Sequence, residues 1–363
     1  MKLNNIEVQN IYMLGIGGVG MGALAQYFLY YGCRVYGYDR ARSEICEILE
    51  NKGAKIHYQP NINLIPNDID IVIYTPAISI DFDELQIIKN RNLPIYKRSD
   101  ILAMITPQLE TYAVAGSHGK STITAMLSHI WSTANRDFIA MVGAVVKNYE
   151  NNFIINGEPK EFIVEADEYD KTFLKFSADT GIITSIEPDH FDIYKNFDAL
   201  KDAFREFAHK IKNEIWIDEN VILHIDKNIN TYGLSNSSDI YAYNIRLEDG
   251  ATVFDIYSNY HQIKIENLHL HAAGMHNIRN ATAAIAIALS KNINIDQIKK
   301  AINSYPGLKR RLDLIYNGKN KKYYDDYAHH PTEIDTLFDT LKTLYPDKTF
   351  CAIFQPHLYS RTS

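Results

Sequence analysis

Gly116-Ser117-His118-Gly119-Lys120-Ser121, with Thr122 behind it, is the stretch of this 363-residue chain best equipped for chemistry. A glycine turn ahead of a helix aims backbone N–H groups at an anion. A lysine in it reaches terminal phosphates, and the next hydroxyl ligates magnesium. The stretch is shorter than the P-loop consensus, because Val114 stands at the position of the first glycine. About a hundred residues earlier, Gly15-Ile16-Gly17-Gly18-Val19-Gly20-Met21 satisfies Gly-x-Gly-x-x-Gly, with Asp39 about twenty residues on. That loop fits a dinucleotide, the diphosphate of a sugar nucleotide at a helix N-terminus, or simply close helix–strand packing. The residues themselves do not choose among the three.

Acidic and histidine-bearing strings follow. Glu165-Ala166-Asp167-Glu168-Tyr169-Asp170 and Glu187-Pro188-Asp189-His190 each come after an apolar run, where carboxylates could hold magnesium beside phosphate or form solvated loops. Gly274-Met275-His276-Asn277 opens an alanine-rich segment with Asn280 one turn on, and N-capping alone would account for Asn277. Arg310-Arg311 reads as a solvated pair or a phosphate contact. Asp325-Asp326-Tyr327-Ala328-His329-His330-Pro331 ends a strand and begins a helix, and of its adjacent histidines one at most faces a substrate.

The elements that must hold these residues alternate. Strands are expected at Asn10 to Leu14, Arg34 to Tyr38, Ile71 to Tyr74 and Leu93 to Tyr96, with helices at Val19 to Tyr31 and Asp83 to Asn90. That is a doubly wound α/β sheet. The pattern restarts near Thr106-Pro107. Thr111 to Ala115, Phe162 to Val164 and Gly181 to Ser185 read as strands, Ser121 to Ala134, Phe197 to Ile211 and Asn277 to Ser290 as helices, and Thr252 to Ile265 as a hairpin. Past the turn at Tyr305-Pro306-Gly307, a helix begun by Pro331 and a strand from Thr349 to Phe354 make one strand–helix–strand unit, too little to cover both faces of a sheet. Three domains are therefore expected: 1–107, 108–307 and an incomplete 308–363.

Composition narrows the class. Hydrophobic residues make up 46% and charged residues 22%, the balance of a soluble globular protein. A net charge of -7 argues against binding driven by nucleic-acid phosphates. Cys33, Cys46 and Cys351 lack metal spacing and fit reduced cytoplasmic thiols. Met1 to Asn10 has no apolar signal core, and Ala281 to Leu289 is too short to span a bilayer, so a cytoplasmic chain is expected.

Together these strings, with Arg310-Arg311-Leu312-Asp313, Asp326-Tyr327-Ala328-His329-His330-Pro331-Thr332-Glu333 and Phe354-Gln355-Pro356-His357, resemble the Mur ligase family over nearly the whole chain. The resemblance implies a Rossmann-like N-terminal domain for a UDP substrate, a central P-loop ATPase-type mixed α/β domain, and a truncated Rossmann-like C-terminal domain for the amino acid. It implies ATP-dependent joining of L-alanine to UDP-N-acetylmuramate through an acyl phosphate, with two magnesium ions. It assigns Gly15, Gly17, Gly18, Val19, Gly20 and Met21 to the UDP substrate, and Gly116, Ser117, His118, Gly119, Lys120, Ser121, Thr122, His276, Asn280 and Arg311 to ATP. It gives Ser121, Glu165 and His190 to metal, and Tyr327, His329, His357 and Arg361 to the substrate and alanine. Lys120, His190, His329 and Arg361 would be catalytic. The family usually has threonine where Ser117 and Ser121 stand, which keeps the hydroxyl, and many members have arginine in place of Leu358. A murein-tripeptide ligase, a catalytically incomplete fragment and a dehydrogenase using the first loop remain the alternatives.

Overall fold

The computed structural model describes residues 1–363 except 5, 189–192, 249 and 356–363, and leaves the side chain of Asp170 undescribed. A short hairpin, β1 (Lys2–Leu3) with β2 (Ile6–Glu7), leads into a parallel five-stranded sheet. Its strands are β3 (Asn10–Leu14), β4 (Arg34–Tyr38), β5 (Lys55–His57), β6 (Ile71–Tyr74) and β7 (Ile95–Lys97), in the order β5-β4-β3-β6-β7. Helices α1 (Val19–Tyr30), α2 (Glu44–Asn51), α3 (Asp83–Asn90) and α4 (Arg98–Ile105) complete this unit.

Strand β3 is buried along its whole length because both faces are covered. Ile11 and Met13 pack with Leu24 and Phe28 of α1, while Tyr12 and Leu14 pack with Leu85 and Ile88 of α3. The chain reverses its direction of winding between β3 and β6. That leaves a crevice beyond their carboxyl ends, where open α/β sheets take ligands.

A ten-stranded sheet follows. Its strands are β8 (Glu110–Ala115), β9 (Phe138–Val146), β10 (Asn151–Asn156), β11 (Glu161–Glu165), β12 (Thr180–Ile183), β13 (Glu214–Asp218), β14 (Asn230–Gly233), β15 (Ile240–Glu248), β16 (Ala251–Ser258) and β17 (Ile263–Leu270). Their order is β10-β9-β11-β8-β12-β13-β14-β15-β16-β17, and β8 lies between β11 and β12, parallel to both. One face carries α5 (Lys120–Thr133), α7 (Met275–Ser290) and α8 (Ile295–Asn303), closed by Trp131, Trp216 and the alanines of α7. The other carries α6 (Phe197–Lys210), whose Phe207 stacks on Phe173 while Phe204 meets it edge to face. Each such fully buried aromatic contributes about 1.5–3 kcal/mol relative to exposure.

The last elements are an antiparallel hairpin, β18 (Asp313–Asn317) with β19 (Lys322–Asp325), and α9 (Pro331–Leu344). The strand expected from Thr349 to Phe354 does not form, and Ile353 and Phe354 are exposed. A strand needs a neighbour to take its backbone N–H and C=O groups. Among the described residues β18 and β19 pair only with each other, so residues 349–354 have no ladder to join there. Among the described residues no helix is long and apolar enough to cross a membrane. All three cysteines are free thiols, with Cys33 and Cys46 buried and Cys351 exposed.

Candidate active site

The second glycine loop runs from the end of β8 into α5 and is clamped to the end of β12. Ser117 N donates to Ser185 O (2.9 Å), His118 N to Ser185 Oγ (3.0 Å) and Glu187 N to Ser117 Oγ (2.9 Å), while Thr184 Oγ1 donates to the His118 carbonyl. Gly116 has φ 133°, and a Cβ there would lie 2.0 Å from Thr184 Oγ1. Glycine is required at that position. Gly119 has φ 82° and lies so close to Asn280 that a Cβ would approach its Oδ1 to 2.6 Å. The first turn of α5, beginning at Lys120-Ser121-Thr122, has N–H groups without intrahelical partners, as an anion site requires.

Lys120 Nζ donates to Gly116 O (2.6 Å) and to both carboxylate oxygens of Glu168 (2.9 and 2.7 Å). Burial opposes the ammonium charge, but Glu168 and Asp167 outweigh it and raise the lysine pKa. Beside this pair, Glu165 accepts a hydrogen bond from Gly143 N and has the Ser121 hydroxyl next to it. Burial pushes the Glu165 carboxyl up, against the pull of Gly143 N–H, Lys120 and Ser121. A hydroxyl and a carboxylate side by side next to a lysine form an oxygen donor pair suited to magnesium.

Two cavities flank these residues, with Ser121 in the wall of one and Glu165 in the wall of the other. The first, about 710 Å³, is lined by His118, Gly119, Ser121, Thr122, His276, Asn280 and Arg311. His276 is exposed to the cleft, yet crowding by its walls, ahead of the Arg311 charge, pushes its pKa down to about 4. The second cavity, about 800 Å³, lies at the crevice of the five-stranded sheet and reaches Glu165 and Asp167. Gly15, Gly18, Val19, Gly20 and Met21 line it. Gly17 faces elsewhere: its N–H donates to Asp39 Oδ2 (2.8 Å), and Asp39 Oδ1 accepts from Ala41 N (3.3 Å). Both Asp39 oxygens thus accept from backbone N–H groups, of Gly17 and Ala41, which disfavours a ribose-binding role. Arg98, invisible to motif reading, packs on the loop, with Nη1 2.6 Å from where a Gly20 Cβ would be.

The two acidic strings lie on opposite sides of the second loop. Glu165 and Glu168 adjoin Lys120 and Ser121, whereas Glu187 Oε2 faces His118 Nε2 (3.2 Å) and accepts from Thr332 Oγ1 (3.0 Å). At the start of α9, Glu333 gathers His118 Nδ1 (3.2 Å), His329 N (3.1 Å) and Arg311 (3.6 Å). His329 Nδ1 also lies 2.9 Å from Tyr327 O, and the Tyr327 ring lies beneath Arg310 and Arg311. His190, His357 and Arg361 lie outside the described residues.

The contact between α9 and the loop carries a pH dependence. Burial opposes ionisation of Glu333, but His118, the His329 N–H and Arg311 hold its carboxyl well below the usual range. Burial likewise opposes the His118 charge, and Glu333 and Glu187 raise its pKa regardless. The Glu333 contribution is complete above its ordinary 4.5 and is lost as pH falls through the depressed value. The His118 contribution is complete below its ordinary 6.5 and is lost as pH rises through the raised value. Amide exchange at the start of α9, corrected for intrinsic rates, should therefore be slower at about pH 6 than at about pH 8.5. Equal protection at both, or an undiminished difference in His118→Asn, would contradict this.

Comparison with known proteins accords with this geometry. Residues 10–108 match the Mur ligase family, catalytic domain, and residues 114–288 the Mur ligase middle domain. UDP-N-acetylmuramate–L-alanine ligase of Flavobacterium johnsoniae is 41% identical over 370 residues, covering 100% of this chain and 80% of the relative. Among solved structures, UDP-N-acetylmuramate-alanine ligase of Thermotoga maritima superimposes with a TM-score of 0.84 at 25% identity, covering 94% of this chain and 79% of that one. A murein peptide ligase from Psychrobacter arcticus gives 0.76 at 25% identity, covering 94% and 77%. With both glycine loops inside the matched segments and the relatives aligned along its whole length, this chain belongs to the Mur ligase family.

Proposed function

We propose that the chain couples ATP cleavage to amide formation, joining L-alanine to the lactyl carboxylate of UDP-N-acetylmuramate. One observation carries the reading: two cavities, one at each glycine loop, flank Lys120, with Ser121 in the wall of the first and Glu165 in the wall of the second. A carboxylate is a poor electrophile. Its oxygen bonds to the terminal phosphorus of ATP and ADP leaves. The alanine amine then attacks the acyl carbon, phosphate departs with its oxygen, and the amine gives up a proton. The similarity to alanine ligases over the full chain supports this choice of substrates.

In this scheme the first cavity takes ATP between the loop, His276, Asn280 and Arg311. The second takes the sugar nucleotide along Gly15, Gly18, Val19, Gly20 and Met21, while Gly17 braces the loop through Asp39. Lys120 leaves Glu168 to neutralise the terminal phosphate, and Tyr327 and His329 approach from the alanine side. Magnesium would be held by Ser121 and Glu165, a second ion by His190, and it supplies further charge neutralisation. The chain divides for this work into 1–107, 108–307 and 308–363. ATP and sugar nucleotides place the reaction in the cytoplasm.

Phosphate release tests the reading with UDP-N-acetylmuramate, ATP and individual amines. Turnover with L-alanine supports it. Turnover only with a murein tripeptide would favour the peptide-ligase alternative, and substrate binding without turnover a binding-only role. Gly20→Ala should displace Arg98 and raise the KM for the sugar nucleotide about tenfold, about 1.4 kcal/mol, with the KM for ATP unchanged. A KM for the sugar nucleotide equal to wild type would remove Arg98 from that subsite.

A further inference from the structure

The geometry points to a transition-metal site of the zinc class, formed by His118, Glu187 and His330, that ties α9 to the phosphate loop. It does not depend on the reaction proposed above. One ligand atom from each of the three residues lies within 4.8 Å of the others. His118 Nε2 and His330 Nδ1 are both buried and make no well-formed hydrogen bond among the described residues. Glu187 Oε2 stands 3.2 Å from His118 Nε2, and the two imidazole rings are tilted at 47° with centroids 5.6 Å apart. Two buried ring nitrogens beside a carboxylate form a donor set able to close around a cation. A tetrahedral zinc site with bonds of about 2.0–2.1 Å separates its ligand atoms by about 3.3 Å, so the His118–Glu187 pair is already at that spacing.

The surroundings favour such an ion. His118 Nδ1 faces Glu333 Oε1 at 3.2 Å, so the ring can give its Nδ1 proton to Glu333 and present a lone pair at Nε2. This is the carboxylate–histidine–metal arrangement that fixes the ring and strengthens the ligand. The His118 backbone is pinned by Ser185 and Thr184, and the Glu187 N–H by Ser117, so two of the three ligands sit on a rigid frame. His330 comes from the other side, at the N-terminus of α9. Two imidazoles with one carboxylate suit zinc or cobalt and are poor ligands for magnesium, which prefers oxygen. The site is therefore distinct in chemistry from the Ser121–Glu165 pair on the other side of the loop.

The test uses the nucleotide-free chain carrying Cys351→Ser, which removes the exposed thiol, in magnesium-free buffer. Calorimetric titration with zinc chloride should show one ion bound with a Kd of about 1 µM or tighter. His330→Ala and Glu187→Gln should each weaken it by about tenfold or more, and Glu333→Gln by about tenfold through the His118 ring. X-ray absorption of the zinc-loaded chain should show two imidazoles in the coordination shell, a reading that needs no substitution. Affinity indifferent to His330→Ala in a variant with native circular dichroism, a shell without imidazole, or displacement by equimolar magnesium would each overturn the proposal.

Discussion

Lys120→Ala is expected to lower ATP-dependent phosphate release by about 10³-fold or more, because the loop keeps its backbone N–H groups but loses the one cation within it. The structure adds a second consequence. Lys120 neutralises Glu168, whose side chain is 2% exposed, through two hydrogen bonds of 2.9 and 2.7 Å. Removing the lysine takes two charge-assisted hydrogen bonds from a buried carboxylate and costs about 3–5 kcal/mol. The single variant should be both inactive and less stable, which would confuse a simple activity assay. Lys120→Ala combined with Glu168→Gln resolves this, since a neutral amide no longer needs a counter-ion. The double variant should regain most of the lost stability in urea unfolding and none of the turnover. Near-wild-type phosphate release by either variant would remove Lys120 from the chemistry. Stability unchanged in the single variant would show that Glu168 finds another cation or takes up a proton.

Much of the scaffold was legible because its strands are buried on both faces. Continuous runs such as Ile71–Tyr74 and Thr111–Ala115 read as strands without reference to a partner. Short edge strands were less visible. β5 (Lys55–His57) has no fully buried residue and was missed, and β7 begins two residues later than Leu93. The helix α2 carried a signal that went unread: Ser43 caps it by accepting from Cys46 N, and apolar residues recur at Ile45, Ile48 and Leu49. The strand expected from Thr349 to Phe354 shows the converse error, since a suitable composition does not supply a neighbouring strand.

Within the site, glycine-loop spacing is local and could be read directly, whereas the partners of those loops are set by tertiary approach. Nothing in Glu165-Ala166-Asp167-Glu168 states that Glu168 turns to Lys120 while Glu165 turns to Ser121 and Gly143. Nothing in Thr184-Ser185 announces that these hydroxyls clamp a loop more than sixty positions away. Glu333 offered one clue, its place three residues after His330 at the start of a helix, where an acid turns back to free backbone N–H groups. Its further reach to His118 spans 215 positions and has no sequence signature.

Glu165→Gln should behave oppositely to Lys120→Ala in stability while also abolishing activity. The folded protein raises the Glu165 pKa, chiefly by burial, so its ionised form is less favourable there than in the unfolded chain. An acid raised in this way lowers stability once pH exceeds its ordinary value near 4.5, and a neutral amide escapes that cost. Glutamine keeps an oxygen to accept from Gly143 N–H, so packing should survive. Urea unfolding at neutral pH should find the variant as stable as wild type or more so. Phosphate release should fall about 10²–10³-fold, and a higher magnesium concentration should recover only part of it, because the amide oxygen is a weaker ligand. A carboxylate held in an unfavourable place beside a hydroxyl and a buried lysine is what a site for a divalent cation requires, and its tolerated cost is the stability–activity trade-off expected there. Full turnover with an unaltered magnesium dependence would show instead that Glu165 only braces Gly143.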